Sequence, residues 1–304
     1  MAKRIDVHHH VVPPQFISGT PMPVAVPTTE QQLGNMEELN VQAAVVSITP
    51  RILDANPGHI RKVVRECNDH MASLVREHPA SFGCFAALPL PDVDGALEEI
   101  AYAYDVLKAD GIGLFSNQGL RYLGDPTFEE VFAELNRRKA VVFVHPAHCE
   151  APEETHLETP DAIVEYTFDT TRAVVNLLYN GTLERNPDVR MIFSHGAGAA
   201  PYLLTRISGL DSNPKSQVKD AVKAMKALYY DTTSATMHCT LRCIQELSDV
   251  SHVVWGTDMP FLHGERLREE IHHWEDYPGW DARAKETIER ENALRLLPSL
   301  AGRL

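Results

Sequence analysis

Eight short runs rich in β-branched and aromatic residues recur along the chain: "RIDVHHH", "QAAVVSIT", "SFGCFAALPL", "GIGLFSN", "AVVFVHP", "VRMIFSHG", "LYYDTTS" and "SHVVWGTDMPF". Between them lie longer, amphipathic, charged segments such as "PGHIRKVVRECNDHMASLVREHP" and "PTFEEVFAELNRRK". Runs of this kind read as buried strands, and the segments between them as helices opened by Pro, Asp or Thr and stopped by Gly, Asn or Pro. Eight strands alternating with helices predict a (β/α)8 TIM-type barrel, with a doubly wound sheet as the alternative. No composition shift or Gly/Ser-rich linker divides the 304 residues, so one domain over 1–304 is expected. Residues 11–35, rich in proline and without a period, read as a loop inserted over the barrel mouth after the first strand, which distorts the barrel. "DARAKETIERENALRLLP" reads as a final C-terminal helix.

Charge narrows the partners. With 28 Lys and Arg against 42 Asp and Glu, the net charge of −14 repels a phosphate backbone, which argues against nucleic acid. No apolar run reaches the length of a membrane span, and "MAKR" leads into a strand instead of a signal-peptide core, so a cytoplasmic location and no membrane contact are expected. The five cysteines, Cys67, Cys84, Cys149, Cys239 and Cys243, are odd in number and lack a CxxC spacing, which points to reduced thiols. Cys239 and Cys243 share a helical face and read as buried small hydrophobes.

In "RIDVHHH" strand alternation turns His8 and His10 into the barrel and His9 outward. The pair by itself fits either half a metal site or a hydrogen-bonded core pair. Other strand ends carry similar groups: His145 closes "AVVFVHP", His195 closes "VRMIFSHG", and Asp258 follows "SHVVWGT". Each alone reads as a satisfied structural residue. Four strands delivering imidazoles or a carboxylate to the carboxyl end of one barrel define a site, because that is where such barrels place their chemistry. His59, His70, His78, His156, His252, His272 and His273 end no core strand and are left out; His238 and His263 belong to mouth-side loops and stay open. Asn180, in "NGT", reads as a helix stop.

HxH after the first strand, His after the fifth, His followed by small residues after the sixth, and Asp in "GTDMPF" after the eighth resemble the amidohydrolase superfamily. The likeness is to the branch that contains α-amino-β-carboxymuconate-ε-semialdehyde decarboxylase and the salicylate-type decarboxylases. "GIGLFSNQGLRYLGDPTFEEVFAELNRRKAVVFVHPAH" and "YYDTTSATM" look closest to 6-methylsalicylate decarboxylases. The resemblance implies that His8, His10, His145 and Asp258 hold one divalent metal and that His195 is catalytic beside it. γ-Resorcylate decarboxylases have Glu where this chain has His8, a difference that favours Zn2+, with Mn2+ as the alternative. The fourth strand, "GIGLFSN", ends in no lysine that could be carbamylated to bridge two ions, so one metal per chain is expected.

The activity implied is metal-dependent, non-oxidative decarboxylation of a salicylate-like or related unsaturated carboxylic acid. A metal-dependent lactone or amide hydrolase, or a hydratase, is the alternative, since it would use the same ligands. In the first reading Asp258 carries a proton to the ring carbon that bears the carboxylate and His195 relays it; the reverse assignment, and a metal-bound hydroxide with His195 as its base, stay open. Arg51 reads as an anchor for the substrate carboxylate or as a surface arginine, and Asn117 with Ser116 as contacts for a phenol oxygen or as turn caps. Phe261 reads as a wall for an aromatic ring, and His148 as a pocket or exposed residue. The resemblance also implies a homodimer or higher even oligomer. In it Arg206, on a helix that begins near Gly198, crosses to the partner's site and binds substrate carboxylate; a surface ion pair is its alternative role.

Overall fold

The computed structural model describes residues 3–118, 120–148 and 158–304; Cys149 and His156 lie outside them. All eight strand-like runs form strands of one parallel sheet: Arg4–His10, Val41–Ser47, Phe82–Ala87, Gly111–Phe115, Val141–His145, Arg190–Phe193, Tyr229–Asp231 and Val253–Val254. Each pairs with the next in chain order. The eighth strand is only two residues long, so closure onto the first continues along the loop beyond it. Val7 N donates to Trp255 O at 3.0 Å, Asp258 N to His8 O at 2.8 Å and His10 N to Met259 O at 2.7 Å. The result is a distorted (β/α)8 barrel.

Two apolar layers follow from strand alternation. Ile5, Val7, Ala43, Val45, Phe85, Val141, Phe143, Ile192 and Val254 fill the barrel interior, while Val46, Phe82, Leu114, Val142 and Phe193 face the helices. The C-terminal segment belongs to the inner layer: Ala293, Leu296, Leu297 and Leu300 pack against the interior residues. Ser299 and Arg303 bind Asp110, and Arg303 also reaches the carbonyls of Pro79 and Phe82, all groups where strands begin. The floor of the barrel is thereby sealed at the end opposite the site.

Four expectations need correction. Residues 11–35 are not all loop: Pro14–Ile17 and Thr29–Glu38 are helical, because Thr28 and Gln31 form a reciprocal capping box that nucleates the second helix. The C-terminal helix is not final, since Pro298 starts a further turn over Pro298–Ala301. His9 turns away from the barrel interior but is fully buried against Asp6, its Nδ1 at 3.1 Å from Oδ2. Cys239 is exposed and Cys243 half-buried, because the buried face of helix His238–Leu247 is carried by Leu241, Ile244 and Leu247.

The first strand changes phase. Ile5 and Val7 point into the inner layer, yet His8 and His10 point into the site above it, and pairing with the second strand is irregular between Asp6 and His9. Asp6 occupies that irregularity. Its buried carboxylate accepts from His8 N at 3.0 Å, Thr257 N at 3.0 Å and Thr257 Oγ1 at 2.6 Å. Asp6→Ala strands these buried donors, and urea denaturation is expected to show a loss of about 3 kcal/mol or more; a loss under about 1 kcal/mol would contradict this role.

Candidate metal centre

His8 and His10 end the first strand, His145 ends the fifth, and Asp258 stands four residues after the eighth. Their side chains meet. One ligand atom from each lies within 4.8 Å of every other. His8 Nε2 is 3.1 Å from His10 Nε2, and Asp258 Oδ1 is 3.3 Å from the first and 3.1 Å from the second. Arms of about 2.0–2.1 Å in a tetrahedron separate neighbouring donors by about 3.3–3.4 Å, so these spacings suit a zinc-sized ion. Two further facts make the cluster fit a metal. Every imidazole of the cluster has Nδ1 occupied: His8 by Asp231 Oδ2 at 2.7 Å, His10 by Ser47 Oγ at 3.2 Å, His145 by Pro146 O at 2.8 Å. That leaves each Nε2 as the inward donor. Asp258 Oδ1, although buried, has no hydrogen-bond partner of acceptable geometry.

Backbone shape aims two of these groups. His195 and Asp258 have φ of +53° and +60°, left-handed values that cost non-glycine residues about 1–2 kcal/mol each. Asp258 is held there by its N–H on His8 O and by Leu262 N on its own carbonyl. In this conformation Asp258 Oδ2 faces His195 Nε2 at 3.8 Å while Oδ1 faces the histidines. The eighth-strand loop also comes close to His8, since a Cβ on Gly256 would stand 2.7 Å from His8 Cβ; no larger residue fits between them.

The remaining expected residues lie around this centre or away from it. Phe261 is half-buried with its ring 5.3 Å from that of His10. Arg51 is half-buried and its charge acts on Tyr166, whose ring is 6.4 Å from that of His145. Asn117 donates its amide to Asp169 at 3.0–3.1 Å and to His148 O at 3.1 Å, and Ser116 also donates to Asp169. His148 is about half exposed and bonds Asp161 at 2.6 Å. His238 packs its ring on Tyr277, and His263 is exposed at the start of helix Gly264–Asp276. Arg206 is exposed on the single-turn helix Leu204–Ile207, not on a helix from Gly198, because the segment 199–203 is a series of turns. It forms no ion pair among the described residues. Sequence reasoning missed Asp231, Ser47 and Tyr166. Asp231 carried the available signal, a polar residue closing the run "LYYD"; Tyr166 carried none, being at the start of helix Glu165–Tyr179.

A family model described as amidohydrolase matches residues 5–299. The chain belongs to the amidohydrolase family. It is 34% identical over 327 residues to a 6-methylsalicylic acid decarboxylase of Aspergillus aculeatus, covering 98% of this chain and 96% of that protein. It is 33% identical over 321 residues to a decarboxylase of Aspergillus niger, covering 97% and 87%. Among solved structures, a 5-carboxyvanillate decarboxylase of Novosphingobium aromaticivorans with bound manganese and 3-methoxy-4-hydroxy-5-nitrobenzoic acid superposes with a TM-score of 0.83 at 16% identity, over 97% of both chains. This amidohydrolase contains, among its described residues, no helix long and apolar enough to cross a membrane.

The clustered histidines titrate apart. Burial lowers His10 and lowers His145 well below the usual range, the latter reinforced by the charges of His10, His8 and His195, so both are neutral donors. Burial acts the same way on His8, but Asp231 and Asp258 outweigh it and push the pKa up to about 10. Below about pH 10 His8 therefore carries a proton that an incoming metal must displace. Metal binding at pH 8 is expected to release about one proton per ion from this residue, and affinity to rise up to about tenfold per pH unit toward pH 10. Calorimetry in buffers of different ionisation heat checks this; binding without proton release would contradict it.

Proposed function

We propose that this chain is a metal-dependent, non-oxidative decarboxylase of a salicylate-like aromatic acid, acting as one barrel domain over residues 1–304. The observation that carries the reading is the His8, His10, His145 and Asp258 cluster flanked by the rings of Phe261 and Tyr166. Identity of 34% to a 6-methylsalicylic acid decarboxylase supports the same reading. Zinc is the proposed ion, with manganese the alternative, because three imidazoles and one carboxylate form a nitrogen-rich set. His8, His10, His145 and Asp258 would hold the ion, which would supply Lewis-acidic stabilisation of the anionic substrate.

The residues do the rest. Phe261 walls the ring, Arg51 anchors the acid group, and Asn117 lines the fourth-strand side of the pocket. Release of CO2 needs a proton on the ring carbon that bears the carboxylate: the new C–H bond interrupts aromaticity, and the electrons of the breaking C–C bond restore it as CO2 leaves. Asp258 Oδ2 delivers that proton and His195 Nε2, 3.8 Å away, relays it. A cytoplasmic location is in keeping with free Cys67, Cys84, Cys239 and Cys243. Arg206, exposed and outside any ion pair among the described residues, is proposed to complete the site of a partner in a homodimer or higher even oligomer.

Metal-loaded enzyme incubated with salicylates, dihydroxybenzoates and small lactones is expected to release CO2 from a salicylate; ring opening of a lactone without CO2 would overturn the assignment. His195→Ala should lose about 100-fold or more in turnover while keeping its metal, and His145→Ala should lose both. Mixing inactive Arg206→Ala chains with inactive His195→Ala chains should restore activity through mixed dimers. No recovery after verified subunit exchange would remove Arg206 from the partner's site.

A further inference from the structure

The three ligand imidazoles rest on unequal supports. The Nδ1 acceptor is a hydroxyl for His10 and a backbone carbonyl for His145, but for His8 it is the carboxylate of Asp231, at 2.7 Å, with both side chains fully buried. Asp231 is the last residue of the seventh strand, so its backbone is fixed by the barrel ladder. Its carboxylate is fixed as well, because Oδ1 accepts from Thr233 N at 3.2 Å while Oδ2 takes His8. Gly256 lets the eighth-strand loop pass close to His8, since a Cβ there would stand 2.7 Å from His8 Cβ. Charge points the same way. Asp258 and Asp231 together balance a divalent ion held on neutral imidazoles, and a balanced buried site is far cheaper than one with net charge.

We infer that Asp231 is a positioning residue that holds His8 with its proton on Nδ1, strengthens His8 Nε2 as a donor, and makes His8 the anchoring ligand of the centre. The inference rests on the metal-centre reading above. A charged acceptor behind an imidazole raises its basicity more than a neutral one does, so metal affinity depends on Asp231 far more than on Ser47.

The test compares Asp231→Asn with Ser47→Ala, titrating zinc against a competing chelator at several pH values so that affinities are compared after correction for the proton His8 gives up. Asp231→Asn keeps the shape and an acceptor but removes the charge. It is expected to weaken zinc binding about 10–100-fold, and to shift the visible bands of the cobalt-substituted protein. Ser47→Ala should change affinity less than about threefold. Thermal unfolding of the metal-stripped proteins separates these effects from misfolding. In the wild-type zinc protein, long-range 1H–15N spectra should place the His8 proton on Nδ1. Asp231→Asn binding zinc within threefold of wild type, an equal loss in Ser47→Ala, or no Nδ1 proton on His8 would overturn the inference while leaving the metal centre standing. Failure of the wild-type protein to bind any divalent ion would overturn both.

Discussion

One buried carboxylate holds the barrel's seam, and the candidate metal centre is slung across that seam. Asp6 reaches from the first strand to Thr257 beyond the eighth, accepting a backbone N–H and a hydroxyl there while also taking His8 N. The eighth strand is too short to close the barrel by a ladder alone. Because His8 and His10 stand on one side of the junction and Asp258 on the other, any slip there would separate three of the four convergent donors. The irregular pairing that admits Asp6 also flips the first strand's phase, turning the histidines inward above Ile5 and Val7. Closure and site assembly are therefore one structural event.

Around this junction the chain departs from relaxed geometry at two of the clustered residues. His195 and Asp258 adopt left-handed backbone, an arrangement whose cost is offset by the hydrogen bonds and packing that enforce it. The gain is aim: one carboxylate oxygen of Asp258 faces His8 and His10 and the other faces His195. The fifth-strand side is held differently. Buried Asp169 gathers Ser116, Asn117 and Tyr122, while Ser116 Oγ accepts from Ala147 N and Ser116 N donates to His145 O. The turn that carries His145 is thereby tied to helix Glu165–Tyr179, so His145 is as fixed as the pair on the first strand. Side chains held rigid on separate strands set the geometry of their cluster before anything binds.

Much of this was legible in the order of residues. The eight apolar runs map onto the eight strands because a strand buried on both faces reads as a continuous apolar stretch, and parallel strands joined by helices have few architectures open to them. The key side chains were visible for a related reason: His145, His195 and Asp258 are polar groups at or just beyond the point where a buried strand stops, and in a barrel those points share one rim. Local chemistry was less visible where it competed with composition, as in 11–35, where abundant proline masked the capping box at Thr28 and Gln31.

What the sequence determined by itself was thus the barrel, the rim at which His8, His10, His145 and Asp258 gather and the residue types that meet there, since these follow from periodicity and strand termination along the chain. The tertiary structure alone decided how those residues are supported and aimed. The partner of His8 is 223 residues away at Asp231, and the partner of Asp6 is 251 residues away at Thr257. No local pattern encodes such pairs. They exist only after the sheet has curled until its last strand meets its first, and the same closure decides which nitrogen of each histidine is left to face the site.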